Sequence, residues 1–154
     1  MFLNKILSFV KEMKKKLFIL TAFILLIDQL TKFLFQHKNT TLIQKILYFK
    51  YSENTGLIFG FFSNNIFFIY ILPLLVLAFL LYYMRKMTSK EQIFLTFIIA
   101  GILSNLIGRI IYGYVIDFLY IPIYPRFNMA NFNLADVCIL MGVFGLLFTS
   151  FNKR

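Results

Sequence analysis

The chain has 154 residues, of which 60% are hydrophobic and only 14% are charged. A water-soluble domain is nearer half apolar and a quarter charged, so this composition indicates a lipid environment rather than water. The net charge of +10 would suggest nucleic-acid binding in a soluble protein, but here the basic residues lie between apolar segments. This placement predicts orientation in a membrane and no nucleic-acid partner. The length predicts one domain over residues 1–154.

Four segments have the ~20 mostly apolar residues that a helix needs to cross a membrane. The predicted spans are residues 17–35, 66–84, 92–112 and 134–151. Lysines precede the first span, as they do in a signal peptide, but no small-residue cleavage site follows it, so we predict that it is retained. Pro73 interrupts the second span, where neighbouring helices can satisfy the backbone group that a proline frees.

The basic residues divide unequally between the two sides of these spans. Four lie in the two longer loops, residues 36–65 and 113–133: Lys38, Lys45, Lys50 and Arg126. Ten lie on the side of the two termini: Lys5, Lys11, Lys14, Lys15, Lys16, Arg85, Lys86, Lys90, Lys153 and Arg154. The positive-inside rule therefore predicts cytoplasmic termini and two outer loops.

The first long loop carries the clearest strand pattern. Residues 40–62 alternate in part between small polar and aromatic or aliphatic side chains, and residues 52–56 break the alternation. This pattern predicts a short strand, a turn and a second strand.

Polar residues gather near the outer ends of the predicted spans. The set comprises Asp28, Lys32, Asn105, Arg109, Asp117, Asn133 and Asp136. Ionisable groups inside a membrane are costly and are candidates for function by default. Each one also has a structural explanation: a self-neutralising ion pair, a hydrogen bond between helices, an arginine reaching the headgroups, a helix cap or a loop residue. Their shared depth favours a common site.

Carboxylates are the catalytic groups that this set offers. His37 is the only histidine and has no evident partner, and Cys138 is the only cysteine and lies in an apolar helix. We find no metal-ligand spacing and predict no metal or other cofactor. Asp117 and Asp136 can meet from the facing ends of the last two spans. Two carboxylates in a partly dry site share a proton, so one can activate water while the other hydrogen-bonds a scissile carbonyl.

Five segments of this chain resemble motifs of the lipoprotein signal peptidase (signal peptidase II) family. They are D-Q-L-T-K at 28–32, N-T-G-L-I-F-G at 54–60, G-I-L-S-N-L-I-G-R at 101–109, V-I-D-F at 115–118 and F-N-L-A-D at 132–136. Each motif is weak alone, but five in the right order on the right spans are specific. Together they extend over most of the chain.

The resemblance implies an all-α membrane fold of four helices with a small outer sheet and a flap. It implies an aspartic endopeptidase of the bacterial cytoplasmic membrane that acts near the outer surface. This enzyme would remove the signal peptide of diacylglyceryl-modified prolipoproteins, just before the lipidated cysteine. Its partners would be that lipidated substrate and the membrane lipids, and it would act as a monomer.

The resemblance also assigns roles to residues. It implies that Asp117 and Asp136 are catalytic and that Asp28 and Lys32 buttress the site. The residues that would bind or support substrate are Asn54, Gly56, Asn105, Arg109 and Asn133.

The chain departs from the family pattern at two places. Gly108 stands where the family has an aspartate, which removes an expected partner of Arg109 and would allow a closer helix approach. Leu57 and Ile58 are bulkier than the small residues usual in their loop. Two other functions stay open: a carrier whose carboxylates line a solute pathway, and a catalytically inactive binding protein.

Overall fold

The computed structural model describes residues 2–43, 46–56, 62–63, 65–122 and 131–152, with side chains from residue 14 onward. The helices are α1 (Phe2–Phe35), α2 (Leu72–Met84), α3 (Ser89–Tyr112) and α4 (Leu134–Phe151). The strands are β1 (Asn39–Ile43), β2 (Leu47–Asn54) and β3 (Val115–Tyr120). A π-helical turn, Phe67–Ile71, runs directly into α2.

Four helical stretches are long and apolar enough to cross a membrane. They are Lys14–Phe35, Phe67–Met84, Ser89–Tyr112 and Leu134–Phe151, and their bounds differ from the predicted spans by at most three residues. Large apolar side chains such as Phe18, Phe79 and Phe144 are exposed on their outer faces. A helix whose apolar side chains face outward is suited to lipid as solvent, because its own backbone groups are already hydrogen-bonded.

Helix α3 is the centre of the bundle. Over half of its apolar span (56%) is buried, against 17% or less in each of the other three. Glycines let α4 come close to it: a Cβ at Gly101 would lie 2.5 Å from the Ala135 carbonyl oxygen, and a Cβ at Gly142 would lie 2.5 Å from the Phe94 carbonyl oxygen. Helices that approach this closely in membranes commonly use small residues at the contact.

Local sequence signals account for the helix ends. Helix α3 begins at a capping box formed by Thr88 and Glu91, and it ends at Gly113, whose φ of +81° is a left-handed conformation that favours glycine. In the second span, Leu72 N–H donates to the Phe67 carbonyl, five residues back, immediately before Pro73. The helix widens there because proline has no N–H with which to continue the regular ladder.

The three strands form one antiparallel sheet in the order β1-β2-β3. In its register, Thr40 pairs with Phe49 and Ser52 pairs with Asp117. The predicted break at residues 52–56 was wrong, because β2 continues to Asn54 and the chain reverses between β1 and β2. The reason is a distant partner: the end of β2 pairs with β3, which lies beyond two helices in the sequence. The second strand predicted after that break falls mostly outside the described residues.

The sheet lies against the end of the bundle at which α1 and α3 terminate and α4 begins. Phe35, the last residue of α1, stacks on Phe118 of β3 with ring centroids 5.1 Å apart, and Phe132 pairs with Leu119 just before α4. We call this the sheet end. The opposite end, where Lys14 precedes the first span and Lys86 follows α2, is the basic end. The sheet therefore covers the end of the bundle to which the predicted polar set belongs.

Candidate functional site

A buried polar cluster lies where the bundle meets the sheet, and it contains every residue that the sequence proposed for the site. Helix α1 contributes Asp28 and Lys32, which are 0% and 1% exposed. The other members are Asn54 and Gly56 at the end of β2, Asn105 and Arg109 on α3, Asp117 on β3, and Asn133 and Asp136 at the start of α4. Burial of so many polar groups is stable only if they satisfy one another.

Asp28 and Lys32 form an ion pair on one face of α1, with Lys32 Nζ 2.7 Å from Asp28 Oδ2. The other Asp28 oxygen, Oδ1, accepts a 2.8 Å hydrogen bond from the Ala135 N–H in the first turn of α4. Lys32 Nζ also donates to Asn105 Oδ1 at 2.9 Å. The pair therefore connects α1 to both α3 and α4 and does more than neutralise itself on one helix.

Asp117 stands in β3 between two asparagine amides. Asn54 Nδ2 donates to its Oδ2 at 3.0 Å, and Asn133 Nδ2 donates to its Oδ1 at 2.6 Å. Its side chain is 2% exposed. One structural explanation of Asp117 was that it is an ordinary loop residue, which would be exposed to solvent. The burial of Asp117 and its two asparagine partners do not fit that explanation.

Asp136 lies on the other side of the same asparagine. Its Oδ2 accepts the Asn133 backbone N–H at 3.1 Å, and its Oδ1 accepts Asn105 Nδ2 at 2.8 Å. Asn133 Oδ1 in turn accepts the Asp136 N–H, which completes a capping box at the start of α4. The cap interpretation is therefore correct, and it coexists with membership in the polar cluster, since Asn133 touches both carboxylates.

Burial is the main reason that the pKa of Asp117 is raised to about 7, and the negative charge of Asp136 adds to it. Hydrogen bonds from Asn54 and Asn133, together with the Lys32 charge, act in the opposite direction. A carboxyl group with a pKa near 7 can hold a proton at neutral pH while a neighbouring carboxylate is ionised. This is the electrostatic condition for a pair that shares one proton.

The three asparagines have defined orientations because each amide oxygen accepts from an unambiguous donor. For Asn54 the donor is the Gly56 N–H at 3.0 Å, and for Asn105 it is Lys32 Nζ. For Asn133 it is the Asp136 N–H. An amide whose oxygen is engaged in this way must present its NH₂ group on the other side. All three NH₂ groups therefore point at carboxylates.

Arg109 connects α3 to the segment after β2. Its Nη2 donates to the Gly56 carbonyl at 2.6 Å, and its Nε has no hydrogen-bond partner in the part of the chain that the structure describes. A Cβ at Gly108 would meet the Tyr114 carbonyl at 3.5 Å, which is an ordinary contact with the link to β3. The expected closer helix approach at Gly108 is therefore wrong, because that position faces this link.

Residues 57–60 of the second motif lie outside the described residues, as do residues 123–130 of the second long loop. The predicted flap and the effect of Leu57 and Ile58 fall there.

His37 and Cys138, the two other side chains that could act as a base or a nucleophile, make different contacts. His37 contacts the Tyr51 ring at 4.7 Å, and Cys138 is buried in an apolar group with Ile24 and Ala100.

Ser104 is a member of the cluster that sequence reasoning missed. Its side chain is 0% exposed, and its Oγ donates to Asp28 Oδ2 at 2.6 Å. Gln29 Nε2 donates to Ser104 Oγ at 2.8 Å and to its backbone carbonyl at 3.0 Å. The sequence offered one indication, because Ser104 directly precedes Asn105 and Gln29 directly follows Asp28. Serine is common enough in membrane helices that this signal is weak alone.

The arrangement can perform acid–base hydrolysis. Two carboxylates share one asparagine, one of them can retain a proton near pH 7, and amide donors orient both. Within the described residues, no three His, Cys, Asp or Glu side chains are grouped closely enough to hold a metal ion.

The family model and the relatives that this chain matches all belong to one family. A sequence model of the family described as signal peptidase (SPase) II matches residues 20–152. A lipoprotein signal peptidase of Thermodesulfovibrio yellowstonii is 41% identical over 136 residues, covering 84% of this chain and 90% of the relative. Another, of Gloeothece citriformis, is 38% identical over 151 residues, covering 92% of each chain. A third, of Symbiobacterium thermophilum, is 33% identical over 138 residues, covering 84% of this chain and 90% of the relative.

Two solved structures of bacterial membrane enzymes have the same fold. One superposes with a TM-score of 0.80 over 90% of this chain and 89% of its own, and the other with 0.79 over 91% and 95%. Both are 24% identical to this chain, so their likeness concerns the fold alone. They confirm the prediction of four membrane helices with a small antiparallel sheet.

Proposed function

The chain belongs to the signal peptidase II family, and we propose that it removes signal peptides from prolipoproteins with Asp117 and Asp136 as its catalytic pair. The observation that carries this proposal is the single asparagine, Asn133, that hydrogen-bonds both carboxylates at the junction of bundle and sheet. The substrate is a diacylglyceryl-modified prolipoprotein, cut on the amino side of its lipidated cysteine.

The proposed reaction needs one proton shared by the pair. The ionised aspartate accepts a proton from a water molecule while the protonated aspartate hydrogen-bonds the scissile carbonyl oxygen. The water oxygen attacks the carbonyl carbon and forms a tetrahedral intermediate. The C–N bond then breaks, the leaving nitrogen takes a proton from the pair, and the pair returns to its singly protonated state. No bond forms between enzyme and substrate.

The supporting residues act on this pair through the contacts described above. Asn54, Asn105 and Asn133 donate to the carboxylates and orient them. Asp28 and Lys32 hold α1, α3 and the first turn of α4 together. Arg109 positions Gly56 through the hydrogen bond from its Nη2 to the Gly56 carbonyl. Gly108 supplies no carboxylate partner for Arg109, whose guanidinium donates to the Gly56 carbonyl.

The orientation of the bundle in the membrane determines which substrates can reach the site. We propose that the basic end faces the cytoplasm, because ten of the sixteen Lys and Arg residues lie on that side in the sequence. The sheet end then lies at the outer surface of the bacterial cytoplasmic membrane. A diacylglyceryl group anchored in the outer leaflet would hold the neighbouring peptide bond at the depth of the aspartates. We propose that the enzyme acts as a monomer, with lipid and substrate as its partners.

Cleavage of a purified diacylglyceryl-modified precursor tests the catalytic assignment. Asp117→Asn and Asp136→Asn should each reduce the cleavage rate by roughly 10²–10⁴-fold, the usual contribution of a general acid or base. Glu53→Gln is the matched control, because it makes the same carboxylate-to-amide change at an exposed position of β2. Undiminished cleavage by either aspartate variant would overturn the assignment.

The same assay separates the alternatives. An inactive binding protein would retain the precursor without turnover in the wild-type form. A carrier would move solute in proteoliposomes and lose that flux in Asp136→Asn while the precursor stayed intact throughout. A carrier also needs polar groups along a pathway, whereas in the described residues the charged cluster lies at the sheet end of the bundle.

A further inference from the structure

A groove runs along the membrane-facing side of the bundle, near the basic end and away from the carboxylates. Its volume is about 190 Å³, and α1, α2 and α3 all contribute to its walls. Leu17 and Phe18 come from α1, Leu81 and Met84 from α2, and Ile99 from α3. Lys14 lies at its mouth, 14 residues before Asp28, which is about 21 Å along a helix. The groove is therefore separate from the proposed catalytic site.

The walls of this α1–α2 groove are apolar, including its two threonines. Thr21 Oγ1 donates to the Leu17 carbonyl at 2.9 Å, and Thr96 Oγ1 donates to the Gln92 carbonyl at 2.7 Å. Each hydroxyl group therefore donates its hydrogen bond within its own helix and needs no hydrogen-bond partner from a molecule bound in the groove. A groove with no polar requirement inside the membrane is suited to a hydrocarbon chain.

The mouth of the groove has the opposite character. Lys14 lines the groove at this end and is exposed. Basic side chains at the membrane surface attract anionic headgroups with about 1 kcal/mol per residue. We propose that the α1–α2 groove binds one acyl chain of an anionic phospholipid, with the phosphate paired to Lys14.

Two kinds of molecule could fill an apolar groove here: a phospholipid acyl chain or the apolar segment of a signal peptide. The positive charge at the mouth of the groove favours the anionic phospholipid. A signal peptide carries a positively charged region before its apolar run. If such a segment lay in the groove parallel to α1, its basic region would approach Lys14, which carries the same sign of charge. The phosphate of an anionic phospholipid is attracted to Lys14 instead. The proposal concerns whichever leaflet contains the basic end, and it does not depend on the proposed function.

The absence of tryptophan from the chain makes a direct test possible. Phe18→Trp places a single fluorophore at the groove, because Phe18 lines it and is 74% exposed. The variant is reconstituted in vesicles containing phosphatidylglycerol or phosphatidylcholine with brominated acyl chains, which quench tryptophan on contact. We expect roughly fivefold stronger association with the anionic lipid, the ratio that about 1 kcal/mol of attraction gives. High salt should reduce the preference.

Two controls make the test specific. In the Phe18→Trp background, Lys14→Gln should abolish the preference, whereas Lys90→Gln, which removes the same charge from an exposed position at the same end, should preserve it. Phe144→Trp, on the exposed face of α4, should show no such preference. Equal quenching by both lipids, or equal effects of the two lysine variants, would overturn the proposal. So would release of quenching on addition of lipidated precursor, because the groove would then hold substrate.

Discussion

The side-chain amide of Asn133 lies 2.6 Å from an oxygen of Asp117, and the Asn133 amide oxygen cannot take its place because it accepts the Asp136 N–H. One residue therefore caps α4, donates to the first carboxylate through its side chain and donates to the second through its backbone. The distance between β3 and the start of α4 is held by this residue. We therefore expect geometry and protonation at the two aspartates to be coupled through Asn133.

Asn133→Asp should be more harmful than its small change in shape suggests. Aspartate is a good helix cap, so α4 should still begin at the same place. The new carboxylate would, however, face Asp117 and raise its pKa further. We expect at least a tenfold lower cleavage rate and an alkaline limb of the pH–rate profile displaced to higher pH. Asn133→Ser is the control, because it keeps a capping oxygen without adding charge. An unchanged pH profile in Asn133→Asp would contradict this coupling.

The cleavage rate should depend on pH through the shared proton. Burial and the Asp136 charge raise the pKa of Asp117 to about 7, so this carboxyl group keeps a proton below that pH and loses it above. Because the reaction needs one proton on the pair, kcat/KM should fall about tenfold per pH unit on the alkaline side. The measured value would belong to the pair rather than to one residue. A rate that stays level or rises between pH 7 and pH 9 would be inconsistent with a shared proton.

Asp28→Asn should act on stability more than on chemistry. The substitution leaves Lys32 as a buried cation whose remaining described partner is the Asn105 oxygen, and breaking a buried pair in this way costs about 3–5 kcal/mol. We expect a large drop in thermal stability and a smaller loss of activity per folded molecule than in Asp117→Asn. The double variant Asp28→Asn with Lys32→Met should recover part of the stability. Equal and complete loss of activity in well-folded Asp28→Asn and Asp117→Asn would instead place Asp28 in the chemistry.

Ser104→Ala should reveal Ser104 as a positioning residue. Its hydroxyl donates to a charged acceptor, Asp28, and hydrogen bonds of this kind contribute about 1.5–3 kcal/mol. Asp28 in turn holds the Ala135 N–H, one residue before Asp136. We expect a kcat several-fold lower with KM little changed, alongside lower thermal stability.

The hydroxyl itself can be separated from packing at this position. Ser104→Thr keeps the donor and should retain more activity than Ser104→Ala. Thr149→Ala is a control, since the Thr149 hydroxyl donates to the Leu146 carbonyl within its own helix, α4. Wild-type kinetics in Ser104→Ala would show that Asp28 and the first turn of α4 are positioned without it.

Local features of the chain were predictable because their causes are local. A run of about 20 apolar residues is a membrane-spanning helix in almost any setting, and the four predicted spans agree with the structure within three residues. The depth shared by Asp28, Asn105 and Asp136 follows from helix rise and from the direction of each span. The motif at 132–136 likewise contains its own capping box. None of these inferences requires knowledge of which helices are neighbours.

The four helices and the end of the bundle at which the polar residues collect follow from the sequence alone. Three further features become visible only in the folded chain: the end of β2 pairs with β3, Ser104 donates to Asp28, and three asparagine amides point at carboxylates. The physical reason is range. Helix formation depends on neighbours within four residues, whereas strand pairing and hydrogen-bond direction depend on groups that are 63 residues apart, as in Asn54 and Asp117, or 76 residues apart, as in Asp28 and Ser104.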